Sequence, residues 1–214
     1  MILILAAAIW LVAFAFAVAR AVVPSRARGS AILKEALNAT EHAMVRDLLI
    51  VGLIGAGTAL FFWRLLAGQV WMPAGGGDLA QFLYPTFSFA AEWWRRGVAP
   101  LWNPYLFAGA PFVGDIQSGI FYPLNLLTFF LSSPLTFRDM EYLSVLHFFI
   151  AGAGMYAFLV YGRLGAGGRP LMRAAALAGA VAFEFSDLFV THFGNLNLIA
   201  AAAWLPWVLL FYRR

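Results

Sequence analysis

Mostly apolar runs about as long as a bilayer is thick dominate this chain of 214 residues. A spanning helix needs roughly 20 mostly apolar residues. Five stretches meet that demand: 1–19, 48–66, 143–161, 174–190 and 196–212. Hydrophobic residues make up 63% of the chain and charged ones 11%, against roughly 45–50% and 25% in an ordinary soluble domain. One globular core of this size cannot hide so much apolar surface. The composition excludes a soluble enzyme and a disordered tail, and predicts an all-α polytopic membrane protein.

The net charge of +4 does not signal nucleic acid, because the basic residues are dispersed among loops and form no phosphate-binding patch. They read as topology instead. Arg20, Arg26, Arg28, Lys34 and Arg46 precede the second run, which makes 20–46 a basic cytoplasmic loop. Segment 67–142 then faces outward, and Arg163, Arg169 and Arg173 return to the cytoplasm. That balance holds only if the short run 120–131, which contains Pro123 and Asn125, is re-entrant or surface-lying and does not span. The first run lacks the basic lead of a cleaved signal, so an amino-terminal anchor is expected, followed by one membrane domain over 47–214. Cysteine is absent, which removes disulfides and thiolate chemistry.

The outward segment carries the specific features. Asp78 stands three residues before Gln81 at the head of an aromatic stretch, 79–96, that ends at Gly97. The spacing predicts a capped helix lying on the outer membrane surface, with Glu92 able to reach Arg95 or Arg96. Asp78 is thus a helix cap, an acid available for chemistry, or both. Next come Trp102-Asn103-Pro104, Gly109-Ala110-Pro111, Gly114-Asp115-Ile116-Gln117-Ser118-Gly119 and Tyr122-Pro123. So much Pro, Gly and Asn with so little charge predicts irregular backbone folded against the helices and lining a cavity. Asp115 would bind a hydroxyl or divalent cation there, or stabilise its own turn, with Gln117 as a companion.

Glu184 and Asp187 are three residues apart in the fourth run, which predicts one shared helix face near its outward end. Acids within a membrane helix usually face a cavity. His192, Asn195 and Asn197 follow in the next short loop; no spacing here matches a metal motif, so a divalent cation is open. His147 stands with Ser144, Ala151 and Gly154 at packing intervals, as expected of a histidine bonded to a neighbouring helix. Gly165-Ala166-Gly167-Gly168 lacks the preceding strand a nucleotide loop needs, and Asn38-Ala39-Thr40 is a sequon on the cytoplasmic side.

The order Asp78, aromatic helix, Trp102-Asn103-Pro104, Gly109-x-Pro111, Tyr122-Pro123 and Trp204-Leu205-Pro206 resembles the YfhO family of bacterial membrane proteins, which is similar to the GT-C class of membrane glycosyltransferases. The resemblance spans roughly 78–210. It implies a GT-C-like fold of about five spanning helices in the bacterial cytoplasmic membrane, and a chain that is the amino-terminal part of a longer protein. The implied activity moves a sugar from a polyprenyl-phosphate donor to an envelope glycan or polymer acceptor, on the outer face. Asp78, at the head of the first large external loop, takes the place of the acidic residue of such enzymes, as general base or orienting group, and Asp115 is the second candidate catalytic acid. Trp102, Asn103, Gln117, Tyr122, Glu184, His192 and Asn195 are the candidate substrate-binding residues. A transporter or flippase and a non-catalytic membrane subunit are the competing classes.

Overall fold

The computed structural model describes residues 31–213, with side chains from residue 42 onward; the expected anchor 1–19 and the first part of the basic loop lie outside the described residues. Nearly all of the regular structure is helical. In order, the elements are α1 (Ala31–Phe61), α2 (Trp63–Leu66), a π-helical turn (Leu79–Leu83) running into α3 (Tyr84–Arg95), and a small hairpin of β1 (Trp102–Asn103) and β2 (Ala110–Pro111). There follow α4 (Pro123–Leu131), α5 (Phe137–Tyr161), a 3₁₀ turn (Ala166–Gly168), α6 (Arg173–Glu184), α7 (Asp187–Thr191) and α8 (Leu196–Tyr212).

Among the described residues three helical stretches are long and apolar enough to cross a membrane: His42–Phe61, Phe137–Tyr161 and Arg173–Thr191, the last joining α6 and α7. Leu196–Tyr212 is apolar but shorter. The long helix α5 is the centre of the bundle. Of its most apolar window 78% is buried within the protein, against 17% for that of α1. α8, α6 and α1 pack around it. Two glycines make the closest approaches possible. Gly154 receives the Trp207 indole of α8, and Gly152 receives the Glu184 carboxyl of α6. Small residues at such points let helix backbones come together, which is how apolar helices gain packing energy where lipid is as oily as a side chain. At one end Phe62, Phe148, Phe189 and Phe193 interlock, with Phe148 edge-on to Phe62 at 4.8 Å and to Phe189 at 5.5 Å.

Several boundaries differ from the sequence expectation. α1 is helical from the first described residue, Ala31, so the second half of the expected basic loop 20–46 is helical. α5 starts at Phe137 and not at 143 because Thr136 and Asp139 form a capping box. The Asp139 carboxylate accepts from the Thr136 backbone N–H at 2.8 Å, and Thr136 Oγ1 accepts from the Asp139 N–H, satisfying donors that a helix start leaves open. The run 174–190 is broken: α6 ends at Glu184, and Ser186 takes an extended backbone (φ −66°, ψ 161°) before α7. Glu184 and Asp187 therefore share no helix face. One is fully buried, while the other is exposed.

The short run 120–131 holds α4, whose nine residues extend about 14 Å, less than half the thickness of a bilayer core of about 30 Å. Pro123 frees no carbonyl. It opens the helix, where an N–H has no partner to lose. The carbonyl four residues earlier, Gly119 O, accepts from Tyr122 N and from Asn125 Nδ2, each at 3.0 Å. α4 packs on α3 through Phe129 against Phe87, edge-on at 5.4 Å. Arg95 then donates to the Phe129 and Ser132 carbonyls at the end of α4, where a cation meets the negative end of the helix. α3 is preceded by a π turn because Pro85 has no N–H for the Gln81 carbonyl and its ring crowds that position. Gly97, at φ +75°, ends the helix as expected, and Glu92 pairs with Arg96 on its exposed side.

Candidate functional site

The long segment between α2 and α5 is stitched to the bundle along one side of α8. Asn195 Nδ2 donates to Asp78 Oδ2 at 2.6 Å, Asn197 Nδ2 to the Gln117 carbonyl at 2.8 Å, and Trp204 Nε1 to the Tyr122 hydroxyl at 2.6 Å. Asn197 and Trp204 are two helical turns apart and so lie on one face. This seam brings together four of the nine sequence-predicted site residues, Asp78, Gln117, Tyr122 and Asn195.

Asp78 is not a helix cap. Its backbone is already helical (φ −60°, ψ −29°) and its side chain makes no capping bond, so the Asp78–Gln81 spacing misleads. The carboxylate turns across to Asn195 and remains exposed. Asp115 is a turn-former: its Oδ1 accepts from Gln117 N at 2.9 Å, and its carbonyl accepts from Ser118 Oγ at 2.6 Å. Gln117 thereby serves the turn through its N–H and the α8 seam through its carbonyl, both backbone groups.

Trp102 and Asn103 form β1 and pair with Pro111 and Ala110 of β2. The Trp-Asn-Pro and Gly-x-Pro motifs are thus two sides of one hairpin. Asn103 is buried, and its Oδ1 accepts from Tyr105 N at 2.9 Å, closing an Asx turn. Gly109 has φ +114°, and a Cβ there would stand 2.7 Å from Trp102 Cζ2. Only glycine admits the half-exposed indole so close to the backbone here. The hairpin is fastened to α3 by Phe89, which meets Phe112 at 5.0 Å and Tyr105 at 6.1 Å.

Tyr122 is the junction of three elements. Its hydroxyl accepts from Trp204 Nε1 and lies 2.8 Å from His147 Nε2. His147 Nδ1 is 2.7 Å from the Leu143 carbonyl and must donate to it, which leaves Nε2 to accept from the phenol. The proton order is therefore fixed as Trp204 to Tyr122 to His147 to Leu143. Burial pushes the Tyr122 phenol up to about 12, against the smaller opposing effect of the indole N–H. His147 is a packing histidine, as expected from its spacing, bonded to the residue that leads into α4. With its hydroxyl already engaged twice, Tyr122 positions this segment and is not an open ligand.

Glu184 departs furthest from expectation. It is fully buried between α1 and α5, with Oε1 against the Thr58 hydroxyl and Oε2 against Gly152. It does not join Asp78 and Asp115 in one cavity: each acid has its own separate partners. His192 Nδ1 is 3.1 Å from the Leu188 carbonyl and 2.9 Å from Thr191 Oγ1, so that nitrogen is engaged within its own turn. Among the described residues no three His, Cys, Asp or Glu side chains gather as a metal-binding group.

Two polar clusters were not foreseen. Asp47 accepts from Tyr156, Tyr161 and both the Nε and Nη2 of Arg173, at 2.6 Å for Tyr156 and 2.6 and 3.2 Å for Arg173. Arg173, expected in a loop, opens α6 and ties it to α1. Arg138 stacks 3.9 Å from the centre of the Trp71 ring, donates to the Leu65 and Val70 carbonyls, and lies 2.9 Å from Glu141 Oε2. Glu141 Oε1 accepts from Met72 N at 2.6 Å. This clamp fixes the chain as it leaves α2, which sets where Asp78 begins. Asp47 and Glu141 stand just before the apolar runs 48–66 and 143–161, and most of their partners are distant in sequence, so no local signal marked either cluster. No family model, no curated protein and no solved structure matches this chain.

Proposed function

We propose that this chain is a membrane glycosyltransferase, or the amino-terminal part of one, of the GT-C-like kind that the YfhO resemblance implies. On this reading five helices span the bacterial cytoplasmic membrane, and the segment between α2 and α5 lies on its outer face. A polyprenyl-phosphate-linked sugar is the donor and an envelope glycan or polymer the acceptor. One observation carries the proposal: Asp78 is an exposed carboxylate, held by Asn195 at the seam between the long segment and α8. The hydrogen bond orients one oxygen and leaves the other free to take a proton from an attacking hydroxyl as the phosphate leaves. The aromatic hairpin, fastened to the same segment, offers apolar ring faces of the kind that suit an isoprenoid chain and a sugar ring.

The test is transfer from polyprenyl-phosphate sugars in membranes carrying the complete protein. Asp78→Asn keeps the size and a hydrogen-bonding oxygen but cannot accept a proton. Transfer should fall by roughly 10²–10⁴-fold, the range for a general base, with insertion unchanged. Near-normal transfer by this variant removes Asp78 from the chemistry. A second reading, transport or flipping of a lipid-linked substrate, draws on one observation: the break between α6 and α7 beside a buried acid, a feature of helices that line transport sites. Substrate movement across vesicles without any transfer would favour it.

A further inference from the structure

Glu184 ends α6 at the break, wholly buried, and its Oε2 has no hydrogen-bond partner. The ion pairs among the described residues are Arg96–Glu92, Arg138–Glu141 and Arg173–Asp47; none reaches Glu184. An isolated carboxylate in so apolar a setting is costly by several kcal/mol or more, and the local hydrogen bonds say how that cost is avoided.

Thr58 has one hydroxyl proton and two acceptors in reach, the Ile54 carbonyl at 3.0 Å and Glu184 Oε1. If Glu184 were a carboxylate, one of those contacts would bring lone pairs together with no proton between them. If it is a carboxylic acid, its own O–H donates to Thr58 Oγ1 and Thr58 donates onward to Ile54, and every contact has a donor. The space around Oε2 is closed. A Cβ built on Gly152 would collide with that oxygen and lie 2.9 Å from Ile54 Cγ2. There is no room for a hydrated cation.

We propose that Glu184 is a proton-binding site at the break between α6 and α7, the proton being held in the hydrogen bond to Thr58. The inference requires only that α1, α5 and α6 lie in the bilayer, and it is independent of the transferase reading. Among the described residues the other buried ionisable groups on the elements packed there have their own partners: Asp47 with Tyr156 and Arg173, Glu141 with Arg138, and His147 with Tyr122 and Leu143. Asp187, on α7, is exposed. Loss of the proton leaves an anion facing the α1 hydroxyl and the α5 backbone with too few donors, so proton release should loosen the end of α6.

Infrared difference spectroscopy on the full chain in lipid vesicles tests this. Near neutral pH the wild type should show the carbonyl stretch of a protonated carboxylic acid, sensitive to deuterium exchange and lost in Glu184→Gln. Thr58→Val, which keeps the acid and removes its partner, should retain the band at a higher frequency. Absence of a protonated-acid band in both the wild type and Thr58→Val overturns the proposal, as does a band that Thr58→Val leaves unmoved.

Discussion

Replacing Gly154 by alanine should destabilise the bundle far more than the same change at Gly57. Gly154 faces α8, where its missing side chain leaves room for the Trp207 ring. A Cβ there would lie 2.6 Å from Trp207 Cδ1 and 2.9 Å from Cε2, and closer still to Nε1. The indole is 7% exposed and donates to the Ile150 carbonyl at 3.1 Å, so it cannot swing aside without losing that bond and its packing. Overpacking a close contact costs about 1–3 kcal/mol, and the lost hydrogen bond adds about 0.5–1.5 kcal/mol. At Gly57 a Cβ meets nothing within 4 Å, and alanine gains about 0.5–1 kcal/mol of helix propensity. Both variants share that gain, so their difference is the steric and hydrogen-bond loss alone, roughly 1.5–4.5 kcal/mol. Far-ultraviolet circular dichroism during denaturing-detergent titration of the chain in mild micelles measures it. Equal midpoints for the two variants would refute the close α5–α8 approach.

Two further outcomes are expected. The chain has no cysteine, so single introduced cysteines report sidedness cleanly: positions 76 and 195 should label from outside and 167 from inside, and outside labelling at 167 would sink the five-helix topology. The Tyr122 phenol, raised to about 12 from its ordinary 10.0, contributes stability that is complete below the unfolded value and is lost as pH rises through the folded one. The tether of this segment to α8 should therefore weaken between pH of about 10 and 12, and Tyr122→Phe should lack that alkaline loss. Identical alkaline profiles for the two proteins would contradict the buried hydrogen-bond chain.

Composition and spacing alone determined that this is a helical chain with runs fit to cross a membrane, because apolar run length is a property of consecutive residues. The same local logic made 120–131 too short to span, stopped α3 at Gly97 and marked His147 as a packing residue. It failed where a local signal had a competitor elsewhere in the chain. The Asp78–Gln81 spacing suggested a cap, but Asn195 offered the carboxylate a partner across the seam. The spacing of Glu184 and Asp187 assumed an unbroken helix, whereas Ser186 takes an extended backbone and starts a new one. Trp102, Asn103 and Gly109 were legible as unusual, yet only the hairpin explains them, through the indole lying on a glycine that has no side chain. The clamps at Asp47 and Arg138, and the closed setting of Glu184, join residues from separate helices. Such contacts depend on how helices approach one another in space, and the order of residues along one helix does not contain that information.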